Sequence, residues 1–124
     1  MSKIFNAFAI LLLSSQAILA APPVFVDTPE DAFILAKKIK LDVLLIFEAD
    51  WCRFCKPLKE AINGDLDMVP DTIICFIDYD KRQDLVEQYE VKVVPDSFLY
   101  RNGVEIKRKT GFISKQDYID WLNK

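Results

Sequence analysis

Cys52 and Cys55, within the run Trp51-Cys52-Arg53-Phe54-Cys55-Lys56, are the residues of this chain whose type and spacing best suit a reaction. No histidine occurs in the 124 residues, so the commonest general base and the commonest transition-metal ligand are both missing. Any chemistry must rest on cysteine or carboxylate. The apolar run Val43 to Phe47 lies just upstream and a helical stretch stopping at Asn63-Gly64 just downstream, which sets the pair where a buried strand turns into a helix. A helix amino terminus presents unpaired backbone N–H groups and the positive end of the dipole, and both favour thiolate over thiol. The pattern predicts a helix beginning near Cys52, with Cys52 at its exposed first position as nucleophile. Cys55, one turn further in and shielded by that turn and by Phe54, is the expected resolving residue, able to attack a mixed disulfide formed at Cys52.

Other uses of such a pair fit less well. A zinc site would need more ligands, and only Cys75 remains, in the middle of the apolar run Thr72 to Ile77. A static structural bridge is open to an exported protein, although such bridges usually staple distant segments rather than residues within one helical turn. No metal and no cofactor is expected. Cys75 itself reads as a buried, inert thiol.

The elements that must position the pair can be read along the chain. Val24 to Val26 form a short strand. Thr28 caps a helix that runs to about Lys40, with Pro29 in its first turn and Glu30 and Asp31 near its positive end. Its expected apolar stripe is Ala32, Leu35, Ala36 and Ile39. Val43 to Phe47 and Thr72 to Ile77 are uninterrupted apolar runs, the pattern of strands covered on both faces. A short helix over Gln83 to Tyr89 and a strand over Ser97 to Tyr100 follow. Asn102-Gly103 then signals a tight hairpin into Val104 to Lys109. Ser114 with Asp117 starts a last helix, which Phe112, Tyr118, Trp121 and Leu122 anchor to the sheet. Phe25, Phe33, Phe47 and Phe98 read as core. Parallel crossovers followed by an antiparallel hairpin and a closing helix predict an α/β fold, a small central mixed sheet flanked by helices on both faces.

The chain has the composition of one globular domain, 52% hydrophobic and 28% charged, and its formal charge of −3 comes without any basic run. Nucleic acid is therefore not an expected partner. Residues 1–20 read as a signal peptide: a weakly positive start at Met1 to Lys3, an apolar stretch over Ile4 to Leu13, then Ser14-Ser15-Gln16 and small residues to Ala20 and Ala21. The expected mature domain is 21–124, beginning at Ala21, periplasmic or secreted and monomeric. Ile4 to Ala21 also approaches the length of a spanning helix, and uncleaved it would tie the protein to a membrane.

Together these features resemble the thioredoxin family. The resemblance extends from about Val24 to the end and is carried by Ala49-Asp50-Trp51-Cys52 with Lys56, Val94-Pro95 at the entry to a strand, Phe98 and Tyr100 alternating into Asn102-Gly103, Gly111, and the final helix. The Ala-Asp-Trp-Cys wording is also similar to the C-terminal domain of the thiol-disulfide interchange protein DsbD, a hint of periplasmic electron transfer. The resemblance implies a thioredoxin fold and a protein-disulfide oxidoreductase acting through Cys52 and Cys55, as a reductase. Its partners would be cysteine-containing protein substrates and an upstream redox protein. It further implies a cis bond before Pro95, with Trp51, Val94 and Pro95 meeting the substrate. A module that merely holds peptides in the Pro95 groove, its cysteines permanently bridged, stays open beside this.

Two departures from the family stand out. Thioredoxins usually carry a buried aspartate six residues before the first cysteine, where this chain has Ile46. Glu48 falls on the same strand face and could supply a displaced proton acceptor, or could simply end the strand in water. Between the cysteines stand Arg53-Phe54 rather than Gly-Pro. The Arg53 cation would favour the Cys52 thiolate and a more oxidising couple, unless water screens it.

Overall fold

The computed structural model describes residues 19–124. Most of the segment read as an export signal, 1–18, lies outside the described residues. The elements run β1 (Val24–Val26), α1 (Pro29–Ile39), β2 (Asp42–Glu48), α2 (Cys55–Gly64), β3 (Thr72–Asp78), α3 (Gln83–Gln88), β4 (Asp96–Arg101), β5 (Val104–Thr110) and α4 (Lys115–Asn123).

Local chemistry explains the helix ends. The Asp31 N–H donates to Thr28 Oγ1 at 3.1 Å, Pro29 occupies the first turn and Lys37 and Lys38 the last. The Asp117 N–H donates to Ser114 Oγ at 3.1 Å, starting α4 in the same way. Asn102 and Gly103 both take positive φ, 53° and 76°, which a two-residue hairpin between β4 and β5 requires.

The five strands lie in the order β1-β3-β2-β4-β5. β3 is parallel to β1 and β2, while β4 is antiparallel to β2 and to β5. β2 is central, and alternate residues serve opposite layers. Val43, Leu45 and Phe47 join Ile73, Cys75 and Ile77 beneath Ala32 of α1 and Leu85 and Val86 of α3. Leu44 and Ile46 join Ile74 and Leu99 against Leu58 and Ile62 of α2 and Tyr118 of α4. Val43 to Phe47 are each at most 2% exposed, and burying a side chain of this size contributes about 1.5–3 kcal/mol before the entropy of ordering is subtracted. Tyr118, itself fully buried, donates its hydroxyl to Ser97 Oγ at 2.8 Å, so both polar atoms are satisfied. The Lys107 ammonium donates to the carbonyls of Trp121 and Leu122, a cation at the negative end of α4. Burial holds the Lys107 pKa below its ordinary value, with Arg101 adding to the effect.

The fold is thus mixed α/β with helices on both faces of the sheet. Four local expectations need correction. α2 begins at Cys55 rather than near Cys52. Ile39 is 45% exposed, because α1 stops there with Lys40 in the left-handed region (φ 56°) and Leu41 takes the place against the core. Phe25 is 43% exposed: among the described residues β1 is an edge strand paired with β3 alone, and Phe25 stacks on Phe76 of that neighbouring strand. A short 3-10 turn, Leu66–Met68, buries Met68 where no element was expected.

Candidate active site

Because β2 and β3 are parallel, their carboxyl ends lie side by side, with Glu48 opposite Asp78. The chain leaving β2 is redirected by a turn in which the Cys52 N–H donates to the Ala49 carbonyl at 3.1 Å, and α2 then starts at Cys55. Cys52 and Cys55 are disulfide-bonded. The Cys55 N–H, the first of α2, donates to Cys52 Sγ at 3.2 Å. Unlike α1 and α4, this helix has no side-chain cap and no acid in its first turn. Its amino-terminal donors and dipole are therefore offered to sulfur rather than consumed by an oxygen, the setting that stabilises a thiolate when the bridge is reduced.

The sulfur atoms sit deeper than the spacing suggested. Cys52 is 7% exposed and Cys55 2%, so Cys52 does not occupy an exposed first helical position. Redirecting the chain takes the turn between Ala49 and Cys55, and this holds Cys52 below the rim. Phe54 is 56% exposed; Cys55 is instead packed with Ala49, Tyr79 and Val94.

The segment before β4 forms the opposite wall. The Val94–Pro95 peptide bond is cis, and the Val94 carbonyl oxygen lies 3.4 Å from Cys52 Sγ. Pro95 is buried and Val94 half-buried. The Val94 N–H has no partner among the described residues, which leaves it open to an incoming extended segment. The Pro95 carbonyl accepts the Gly111 N–H at 2.7 Å. Gly111 has φ 88°, a conformation that a side chain would strain.

Glu48 is neither buried without a partner nor solvated. Its side chain is 15% exposed and accepts from Lys59 Nζ of α2 at 3.2 Å. Ile46, on the same face, is 1% exposed among Leu44, Leu58 and Ile62, so the site usual for a carboxylate is apolar here. Trp51 is 65% exposed, yet its indole N–H donates to Asp80 Oδ2 at 2.8 Å and its ring meets Tyr79 edge-on. Arg53 is exposed, its guanidinium 5.8 Å from the centre of the Phe54 ring.

Sequence reasoning missed Tyr79, Asp80, Lys59 and the buried Asp96. Tyr79 and Asp80 follow β3 directly, and two parallel strands ending together was the signal that could have found them. Asp96 follows Pro95 but is fully buried and paired to Arg108, a long-range contact with no local signature. The hydrogen bonds that Arg108 donates to Asp96, with the carboxylate's charge adding to them, hold the Arg108 pKa above the ordinary value. Cys75 lies fully buried in β3, where burial and then the charges of Asp27 and Glu30 push its pKa up to about 12. Among the described residues no three His, Cys, Asp or Glu side chains converge as metal ligands do.

The sequence model of the family described as Thioredoxin matches residues 26–124. A thioredoxin of Chlamydia trachomatis is 34% identical over 85 residues, 66% of this chain and 80% of that protein. A thioredoxin of Mycoplasma genitalium is 31% identical over 84 residues, 68% of this chain and 82% of that protein. Among solved structures, Trxlp of Edwardsiella tarda superposes with a TM-score of 0.69 at 26% identity, covering 79% of this chain and 97% of that one. A mutant thioredoxin of Halobacterium salinarum gives a TM-score of 0.68 at 26% identity, covering 86% and 94%.

Proposed function

This chain belongs to the thioredoxin family and is a thiol-disulfide oxidoreductase for cysteine-containing proteins; from that premise we propose that it is an exported reductase in which Cys52 attacks and Cys55 resolves. The observation that carries the division of labour is the Cys55 N–H aimed at Cys52 Sγ from a helix end that no acid caps. With the pair reduced, the Cys52 thiolate attacks one sulfur of a substrate disulfide, forming a mixed disulfide and expelling the other substrate sulfur as thiolate. Cys55 loses its proton and attacks Cys52 Sγ, closing the Cys52–Cys55 bond and releasing the second substrate sulfur. Two electrons pass to the substrate, and an upstream dithiol protein returns them.

Glu48 is the proposed acceptor of the Cys55 proton, directly or through water, with Lys59 holding its carboxylate in place. Trp51, Val94 and Pro95 form the substrate face, the Val94 amide pairing with the backbone of the incoming segment. Export rests on the amino-terminal pattern of residues 1–20, with Ala21 as first mature residue and a periplasmic or extracellular monomer as product. The short likeness to DsbD agrees with that compartment.

Trapping tests the order of attack. Cys55→Ser should accumulate mixed disulfides with substrate proteins on diagonal gels, and Cys52→Ser should not. Equal trapping by the two variants, or trapping through Cys75, would refute the assignment. A dithiothreitol titration separates the reductase from a peptide-holding module. A reversible couple together with insulin reduction supports the former, whereas a bridge more reducing than about −300 mV that leaves insulin intact supports the latter. Mass spectrometry of periplasmic protein should find Ala21 at the amino terminus; Met1 in a membrane fraction would establish an anchor instead.

A further inference from the structure

The buried Asp96 has a second consequence for the wall that faces Cys52. Its carboxylate is wholly inaccessible and accepts three donors: Arg108 Nε at 3.1 Å and Thr110 Oγ1 at 3.0 Å on one oxygen, and Arg108 Nη2 at 2.5 Å on the other. The same Arg108 Nη2 donates to the Glu90 carbonyl at 3.2 Å. Glu90, at φ 54°, is where the chain leaves α3 and enters the segment 91–95 that ends in Val94 and Pro95. One guanidinium thus ties both ends of that segment, Glu90 at its start and Asp96 at its finish. The guanidinium is itself held 4.5 Å from the centre of the Phe98 ring. A planar fork with several fixed donors can do this, and a lysine ammonium cannot reproduce the geometry.

We propose that the Asp96–Arg108–Thr110 cluster is a positioning device for protein substrates, fixing the register of Val94 and Pro95 beside Cys52 so that a peptide segment can pair there. The proposal rests on the disulfide-exchange reading above and extends it to residues that touch neither sulfur. A large substrate depends on the Val94 backbone to dock, whereas a small aromatic disulfide needs only access to Cys52. Loosening the segment therefore weakens one and spares the other.

The test is Arg108→Lys, which keeps the charge beside Asp96 but loses the fork, with Thr110→Val as a milder variant that keeps the side chain's shape and the ion pair. Each is assayed in turnover against insulin with dithiothreitol as the reductant, and in a single turnover of pre-reduced protein against 5,5′-dithiobis(2-nitrobenzoate), at a urea concentration of zero and with unfolding curves recorded in parallel. The expected result for Arg108→Lys is a KM for insulin raised about five- to tenfold, with kcat and the rate on the small disulfide within twofold of wild type. Thr110→Val should shift the same KM in the same direction by a smaller factor. An unchanged insulin KM in both variants, or an equal loss on both substrates, would overturn the proposal. Should Arg108→Lys fail to fold, Thr110→Val decides alone by the same criteria. Wild-type protein inactive on both substrates would refute the disulfide-exchange reading, and this proposal with it; an active wild type with unaltered variants removes the positioning role only.

Discussion

Replacing Ile46 by aspartate would put a carboxyl group where most thioredoxins carry one, and the structure specifies what that costs. Ile46 is 1% exposed, enclosed by Leu44, Leu58 and Ile62, and the nearby Lys59 is already engaged by Glu48. Losing the buried isoleucine side chain costs about 2–3 kcal/mol at any pH. The carboxyl adds a pH-dependent part. Its unfolded pKa is about 3.9, and burial without a cation of its own should raise the folded value by roughly 2–3 units. An acid whose folded pKa is raised binds its proton more tightly in the folded state. The folded form is therefore favoured at low pH and loses stability as pH rises from the unfolded value through the folded one. At about 1.4 kcal/mol per unit this amounts to roughly 3–4 kcal/mol between pH 4 and pH 7. Ile46→Asn supplies the control, a similar polar shape that does not titrate. Urea unfolding of the oxidised proteins across that range should show Ile46→Asp and Ile46→Asn nearly equal at pH 4, with the aspartate variant falling behind toward pH 7. A difference that stays flat with pH would refute the reasoning, as would one that shrinks, since it would mean that Lys59 abandons Glu48 to pair with the new acid.

Three further outcomes are expected. Tyr118→Phe leaves the buried Ser97 hydroxyl unpaired and should cost about 1–3 kcal/mol in urea unfolding, while Tyr118→Phe combined with Ser97→Ala should cost less than the sum of the two single changes. Cys75, with its pKa pushed up to about 12, should resist iodoacetamide at pH 8 in the folded protein and react once urea unfolds it, the modified residue being identified by mass spectrometry. Ala21 N lies 2.8 Å from Asp71 Oδ1, so cleavage before Ala21 would create an ammonium facing that carboxylate. Asp71→Asn should then lower the Tm of protein starting at Ala21, by an amount that fades at high salt, and leave the Tm of the Met1-bearing precursor unchanged.

What could be read from residue order alone was whatever depends on neighbours within a turn or two. Thr28, Pro29 and Ser114 with Asp117 announce their helices because a cap bonds to an amide three residues away. Asn102-Gly103 announces the hairpin because both residues tolerate positive φ. Val43 to Phe47 announce a strand covered on both faces because every position is apolar. The cysteine pair and its strand-to-helix setting were legible for the same reason. Its depth was not: the turn over residues 50–54 sets Cys52 below the surface and delays α2 to Cys55, and a backbone turn of this kind has no strong preference written in Trp51, Arg53 or Phe54. Of the groups around the sulfurs, only Val94 and Pro95 were within reach, through the family resemblance, and tertiary structure decided the rest. Val94 meets Cys52 across 42 residues, Asp80 meets Trp51 across 29 and Arg108 meets Asp96 across 12. Lys59 meets Glu48 only because α2 crosses the sheet face that β2 presents to it. Such contacts depend on strand order and register, which arise from packing two apolar layers around one sheet, and no local run of residues encodes that arrangement.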